Sequence, residues 1–301
     1  MQEVLDLVEQ IAPTEVPVFI TGETGVGKEV VAQAIHEKSP RKNQPFEAIN
    51  CGAFSGELLL SELFGHEEGS FTGAIRRRRG MLERANGGTL FLDEVGEMSG
   101  ETQVTLLRAL EEQEFTRVGG EAVITVDVRI VSATNAELDK IREDLYERIA
   151  TIPIHILPLR ERREDIPPLA ESFLSDFREK YNKPINNMAP AVLSQLQDAD
   201  WPRNVRQLRN AVERAVVLAD TDELKSSDFL DAPGDPKHFA NLGVVRGGRR
   251  REYERWIPSQ MRSGTETSEV NIDEAKQLYN FILELKINIR RDHNAYFSDG
   301  L

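Results

Sequence analysis

Short apolar runs, too brief for helices, alternate along the first half of the chain with stretches whose apolar residues recur every three or four positions. Val16-Pro17-Val18-Phe19-Ile20 reads as a buried strand, and Val30, Val31, Ala34 and Ile35 then repeat with helical spacing. Phe46-Glu47-Ala48-Ile49-Asn50, the run Thr89-Leu90-Phe91-Leu92 and the segment Val126 to Asn135 predict three more strands. The second of these is apolar throughout, which suits a parallel strand covered on both faces. Farther on the pattern is helical only: Leu169, Phe173, Leu174 and Phe177 share one face, and Leu208, Ala211, Val212 and Ala215 another. The chain therefore predicts a large α/β unit followed by a small helical one.

Chemistry enters at the ends of those strands. Gly22-Glu23-Thr24-Gly25-Val26-Gly27-Lys28-Glu29 lies between the first strand and its helix. Its glycines remove the Cβ atoms that block close approach, so backbone amides and the helix N-terminus can face a polyphosphate. Lys28 then neutralises the terminal phosphates. Glu29 stands where Ser or Thr commonly offers a hydroxyl to Mg²⁺, so a carboxylate or a water takes that role. Asp93 and Glu94 close the strand after Gly87-Gly88, at the end where open α/β sheets bind ligands. Asp93 suits Mg²⁺, directly or through water, and Glu94 suits polarising an attacking water. Thr134 and Asn135 end another strand and can orient that water or read a γ-phosphate. Asn50 ends a fourth, and for either Asn a plain turn residue is the alternative.

Ser61-Glu62-Leu63-Phe64-Gly65-His66-Glu67-Glu68-Gly69-Ser70-Phe71-Thr72-Gly73-Ala74 resembles the signature loop of bacterial enhancer-binding proteins, the AAA+ activators of sigma-54 RNA polymerase. The similarity runs from about the first residue to about residue 230, and Glu at position 29 is usual for that family. The resemblance implies a ring-forming ATPase, usually hexameric, with ATP and Mg²⁺ held between neighbouring copies. Asp93 and Glu94 match its Walker B pair, Thr134 and Asn135 its sensor I, and Asn50 the switch asparagine that holds the catalytic Glu. Arg142 and Arg148 match the arginine fingers offered to the adjacent copy's ATP. From spacing alone, surface ion pairs with Glu143, Asp144 and Glu147 are the other reading of those arginines.

The resemblance further implies that Phe71 and Thr72, flanked by Gly69, Ser70, Gly73 and Ala74, contact sigma-54 when hydrolysis raises the loop. A Phe between glycines can equally tuck back onto its own core. Ser70 replaces the family's commoner Ala. Glu114 to Val123, turning at Gly119-Gly120, resembles a second pore-facing loop. Arg76 to Arg79 read as a solvated arm or a DNA contact. Pro158 to Ile166 resembles the start of a helical lid, and Arg206 matches sensor II, with Asn204 able to cap its helix. Arg203 departs from the family's usual Gly.

Composition limits the rest. A net charge of -14 argues against a protein that coats DNA, although a local basic patch is permitted. One cysteine, Cys51, excludes an internal disulfide. No signal peptide or long apolar span is seen, which fits a bacterial cytoplasm and no membrane contact. The start at Met1 close to the phosphate loop leaves no room for a receiver domain, so either the chain is truncated or its control resides elsewhere. Past Ala232-Pro233-Gly234, a basic segment from Arg246 to Arg255 precedes an apolar stripe of Ala275, Leu278, Ile282, Leu285 and Ile289. That region is a candidate for promoter or enhancer DNA, or for packing on a second copy.

The expected architecture is thus an α/β AAA+ P-loop NTPase, its parallel sheet flanked by helices over 1–158. A helical lid over 159–232 and a linker with a helical C-terminal region over 233–301 follow. The expected function is ATP-driven remodelling of sigma-54 holoenzyme to promote open complexes. The rivals are a nucleotide-gated assembly or DNA-binding module, and a remodeller of another protein.

Overall fold

The computed structural model describes residues 1–135 and 138–229. They divide between Pro158 and Leu159 into two compact units. The break at 232–236, the basic segment 246–255 and the stripe 275–289 lie outside the described residues.

In the first unit, α1 (Gln2–Ile11), β1 (Val18–Thr21), α2 (Lys28–Glu37), β2 (Phe46–Asn50) and α3 (Gly56–Phe64) lead to a short ribbon, β3 (Gly65–His66) and β4 (Arg78–Arg79). Next come α4 (Met81–Arg84), β5 (Thr89–Asp93), α5 (Gly100–Glu112), the hairpin β6 (Glu114–Thr116) and β7 (Val123–Thr125), β8 (Arg129–Thr134), α6 (Glu143–Ile149) and β9 (Ile152–His155). Five strands form one parallel sheet in the order β2-β5-β8-β1-β9. The central strands β5 and β8 are buried along nearly their whole length, whereas edge strand β2 is half-exposed. Phe19, Leu90, Leu92 and Ile130 pack with Leu59, Leu63, Leu106 and Leu145 from the flanking helices. At about 25 cal/mol per Å² of apolar surface removed from water, such a core supplies the main driving force for this unit.

Two strands are shorter than their apolar runs because the backbone is committed elsewhere. Pro17 has no N–H to donate to a ladder. Val126 N–H goes to Gln113 O at 2.9 Å and Asp127 N–H to the Asn86 side chain at 2.8 Å, so β8 begins only at Arg129. Arg129 is itself buried, its guanidinium donating to Ala12 O and Ile11 O at 2.7 and 3.0 Å. It thereby satisfies carbonyls at the C-terminus of α1 that the helix leaves open.

The register aligns the chemistry: Asn50 is opposite Asp93, and Thr21 opposite Thr134, all at carboxyl ends of neighbouring strands. The β3–β4 ribbon is antiparallel. Its base is closed by Gly65 (φ 77), where a Cβ would lie 2.5 Å from Arg78 O, and by Gly80, which packs on the Gly65 backbone. The β6–β7 hairpin adjoins it: Val118 N–H donates to Gly65 O at 3.0 Å and Glu67 N–H to Val118 O at 3.1 Å. Beside them the buried Arg117 pairs with Glu67 at 2.8 Å and Glu83 at 2.6 Å.

The second unit contains α7 (Ile166–Lys180), α8 (Pro190–Asp198) and α9 (Asn204–Leu218), with β10 (Asn187–Met188) parallel to β11 (Glu223–Leu224). Leu169, Phe173, Leu174 and Phe177 of α7 bury against Leu208, Ala211, Val212 and Ala215 of α9. Two local expectations need correction. Asn204 does not cap α9: the cap position falls on Arg203, and the buried Asn204 side chain accepts the Leu159 N–H at 2.7 Å. Arg203 has φ −112, ordinary for any residue, so glycine is not required there; the left-handed conformations fall on Trp201 (φ 48) and Asn204 (φ 53).

Candidate functional site

The phosphate loop leaves β1 and enters α2. Gly22 sits where a Cβ would meet Ile156 O at 2.7 Å, a close approach only glycine permits. Gly27 has open space around it but φ 109, so its role is conformational: it turns the chain into α2 and leaves the first-turn amides of that helix facing the loop. Val26 is buried beneath the loop, while Thr24 and Glu29 are exposed.

Lys28 folds back over the loop, 7% exposed, with Nζ 3.0 Å from Gly22 O and 3.5 Å from Glu94 Oε1. Glu94 Oε2 accepts the Asn135 main-chain N–H at 2.9 Å, and Asn135 Nδ2 donates to Thr24 Oγ1 at 2.7 Å. Phosphate loop, acidic strand end and the end of β8 are therefore already tied together. Glu94 adopts φ 57, ψ 49, a left-handed conformation that costs a non-glycine residue about 1 kcal/mol or more. That turn lifts its carboxylate off the strand direction, toward Lys28.

Asp93 Oδ1 accepts the Glu94 N–H at 3.1 Å. Asn50 Nδ2 donates to Asp93 Oδ2 at 3.3 Å, so the expectation that Asn50 holds Glu94 is corrected: in-register pairing of β2 with β5 places Asn50 beside Asp93. Burial, then the neighbouring Glu94 charge, raises the Asp93 carboxyl above the usual range, with Lys28 opposing. The buried Cys51 thiol is likewise pushed up, first by burial and then by Asp93 and Glu94.

Glu29, Asp93 and Glu94 set three carboxylates against one ammonium. A polyphosphate brought here would add more negative charge, so a divalent cation held by these carboxylates would supply the compensating charge. Among the described residues no group of three or more His, Cys, Asp or Glu side chains forms a ready cage. Mg²⁺ needs none, since it usually takes one or two carboxylates with waters and phosphate oxygens.

Arg142 and Arg148 do not join this network. Helix α6 buries Leu145 and Ile149, four positions apart, and exposes Arg142, Glu143, Asp144, Glu147 and Arg148. Arg142 forks onto Asp144 with Nε to Oδ1 at 3.0 Å and Nη2 to Oδ2 at 2.7 Å, which holds the Asp144 carboxyl below its usual range. Arg148 Nη2 donates to Leu110 O at 2.8 Å. Arg142, Glu143, Asp144 and Glu147 line a shallow, open depression. Arg206 is exposed on the first turn of α9, and Thr134 is buried at the end of β8.

At the signature loop, Phe71 is half-buried, its ring meeting His66 edge-on at 5.1 Å, while His66 Nδ1 lies 2.7 Å from Ser61 Oγ. Thr72 and Gly73 are exposed, Ala74 is buried, and Gly69 N–H donates to Ala74 O at 2.8 Å. The Ser70 hydroxyl is buried and finds no hydrogen-bond partner among the described residues, lying against Gly119 of the second hairpin. Ile75 follows, 85% exposed. The arginine run is not a free arm: Arg78 and Arg79 form β4 and pair with Glu62 and Glu83, and Arg77 lies 3.8 Å from Glu67.

Sequence reasoning missed Gln103, Arg117 and Arg129, all buried polar residues, and the exposed Ile75. Gln103 and Arg129 carry no sequence signal, since each reads as a solvent-facing position. Ile75 was visible as a lone apolar residue ahead of four arginines.

The family described as Sigma-54 interaction domain matches residues 1–155, and that described as AAA+ ATPase lid domain matches residues 160–238. The chain is 51% identical over 235 residues to the Nif-specific regulatory protein of Herbaspirillum seropedicae, covering 76% of this chain and 43% of that protein. It is 49% identical over 224 residues to the transcriptional regulatory protein ZraR of Escherichia coli K12, covering 72% and 51%. A solved structure of NtrX from Brucella abortus in complex with ATP is 41% identical with a TM-score of 0.70, covering 78% of this chain and 55% of that one. The chain spans about half the length of the curated relatives it matches.

Proposed function

Because the chain belongs to the Sigma-54 interaction domain family, we propose that it is an AAA+ ATPase that hydrolyses ATP between neighbouring copies of a ring, hexameric by family precedent, and uses the cycle to remodel sigma-54 RNA polymerase holoenzyme toward the open complex. The observation that carries this reading is Glu94, held in a strained conformation between Lys28 and the Asn135 amide and directly across from the phosphate loop.

Each residue then has a role. The Gly22–Gly27 backbone and the α2 amides cradle the phosphates, and Lys28, released from Glu94, neutralises them. Asp93, with Glu29 nearby, would hold Mg²⁺, which supplies charge neutralisation when bound. Glu94 accepts a proton from the attacking water. Asn135 and Thr134 hold that water or read the γ-phosphate, and Arg206, by its match to sensor II, is assigned to the nucleotide. Asn50, which faces Asp93, reports on the acidic pair from the adjacent strand. Arg142 and Arg148 act on the neighbouring copy's ATP, which agrees with their exposure. Phe71 and Thr72 engage sigma-54 once Phe71 leaves His66. A role for residues 233–301 in promoter or enhancer DNA binding is part of the same proposal.

Two substitutions test it. Glu94→Gln should bind nucleotide but lose roughly 10²- to 10⁴-fold in hydrolysis and abolish transcriptional activation. Phe71→Ala should keep ATPase activity and lose engagement of sigma-54 in the presence of a transition-state nucleotide analogue. Activation surviving Glu94→Gln overturns the motor reading, and unchanged sigma-54 binding by Phe71→Ala overturns the loop assignment.

A further inference from the structure

Gln103 is 2% exposed on α5, a position that an amphipathic helix ordinarily gives to an apolar residue. Its amide is bonded on both sides to main chain. Nε2 donates to Met98 O at 3.1 Å and to Lys140 O at 3.0 Å, and Oε1 accepts the Arg142 N–H at 2.9 Å. Met98 ends the short 3-10 turn, Val95–Glu97, that directly follows Glu94. Lys140 and Arg142 precede α6, with Arg142 at the cap position of that helix and Arg148 in its last turn. One buried side chain thus ties the main chain behind the acidic pair to the start of the helix that presents both arginines. An exposed ion pair, Lys140 to Glu97 at 3.2 Å, runs alongside it.

We infer that Gln103 is a positioning residue for the finger that Arg142 offers to a second copy of this chain. The inference rests on the trans-acting role proposed above for Arg142. Arg142 has an exposed side chain whose fork pairs, among the described residues, with Asp144, two residues on in the same turn. Nothing in that pairing fixes where the turn itself sits. The Gln103 bond to the Arg142 N–H does, because it satisfies a helix-start donor from a residue anchored inside the core. Losing the Gln103 amide removes the partner of the buried Met98 O and of the part-buried Lys140 O and Arg142 N–H, and frees the segment between them. A small displacement of a charge-stabilising group is costly in rate: misplacement by about 1 Å can cost on the order of 100-fold. Gln103 is buried and spends its amide on main-chain groups of Met98, Lys140 and Arg142, so its removal should act on turnover at assembled interfaces and leave nucleotide affinity in dilute, unassembled chains alone.

The test uses the full 301-residue chain carrying Gln103→Met, close in volume, and Gln103→Glu, which keeps the acceptor for the Arg142 N–H but loses both donors. Each is measured for binding of a fluorescent ATP analogue at low protein concentration, for kcat and KM at concentrations that saturate assembly, and for activity after mixing with Glu94→Gln. The expected result is analogue affinity within about twofold of the parent and kcat lower by roughly 10- to 100-fold for Gln103→Met, with Gln103→Glu less impaired. Mixing should raise the rate well above the sum of the separate variants, because intact Glu94 sites in the Gln103 variant receive fingers from Glu94→Gln copies. Should Gln103→Met not fold, Gln103→Glu carries the same measurements. A folded variant with lowered kcat that mixing fails to rescue overturns the inference, since the damage then lies in its own site; an unchanged kcat also overturns it. Arg142→Ala mixed with Glu94→Gln is the control: if that pair fails to restore activity, the trans-acting reading of Arg142 fails rather than the role of Gln103.

Discussion

The carboxyl ends of the central strands and the exposed face of α6 carry comparable chemistry in opposite states of readiness. At the strand ends, Lys28, Glu94, Asn135, Thr24, Asp93 and Asn50 are bonded to one another within a single chain. On α6, the Arg142 and Arg148 side chains are exposed and, among the described residues, bonded to Asp144 and Leu110 O. The first region is bonded into one network; the second is exposed and, in the function proposed above, serves a neighbouring copy. Preorganised groups cost no rearrangement at the moment of reaction, while groups that wait for a partner make chemistry conditional on assembly.

Arg142→Ala tests that division most severely. Turnover should fall roughly 10³- to 10⁵-fold while the nucleotide affinity of dilute chains stays within about twofold. A parallel loss of affinity in dilute chains would falsify the division, because the arginine would then belong to its own chain's site. Lys28→Ala attacks the organised side and should reverse the signature: nucleotide affinity itself should collapse, by about 100-fold for loss of a buried charge-assisted contact with phosphate. Binding measured on dilute chains decides it.

Smaller effects sharpen the comparison. Thr24→Val removes the acceptor for Asn135 Nδ2 and should weaken nucleotide binding by roughly five- to tenfold, about the worth of one hydrogen bond. A melting curve across pH tests the acidic pair. Below the ordinary carboxylate range of about 4, Asp93 is protonated whether folded or unfolded, and its burial carries no charge penalty. As pH rises through its elevated folded value, the ionised buried carboxylate costs stability. Asp93→Asn should therefore melt above the parent at pH 7 without nucleotide, and the difference should close as pH falls toward about 4. A gap that widens on acidification would place the raised carboxyl elsewhere.

Much of this was legible in the chain. The apolar run ending in Asp93-Glu94 was too short for a helix and suited a covered strand, and a glycine-rich turn between strand and helix has few other uses. Strand limits were less legible, because the residues that shortened β8 are hydrogen bonds to Gln113 and Asn86, distant in sequence. The partner of Asn50 depended on register: pairing β2 with β5 residue for residue put Asp93, rather than Glu94, opposite it. Asn204 looked like a cap because Asn is a common one, yet burial beside Leu159 gave its side chain a different carbonyl task, accepting an amide from the chain start of its unit. Gln103 and Arg129 were illegible in principle. A polar residue on a helix or strand reads as solvated, and only the three-dimensional arrangement shows main-chain groups converging on it.

Gly65 and Gly80, packed backbone to backbone at the base of the β3–β4 ribbon, draw together the two ends of the excursion that carries Phe71. Joining the ends of a flexible segment is an entropic cost that grows only slowly with its length. Here folding has already met that cost, so a protein gripping the tip must immobilise a handful of residues rather than a whole loop. The same pinch makes the base intolerant of any side chain, while the crown beyond it can vary in sequence and still arrive at its target on a stalk of fixed footing.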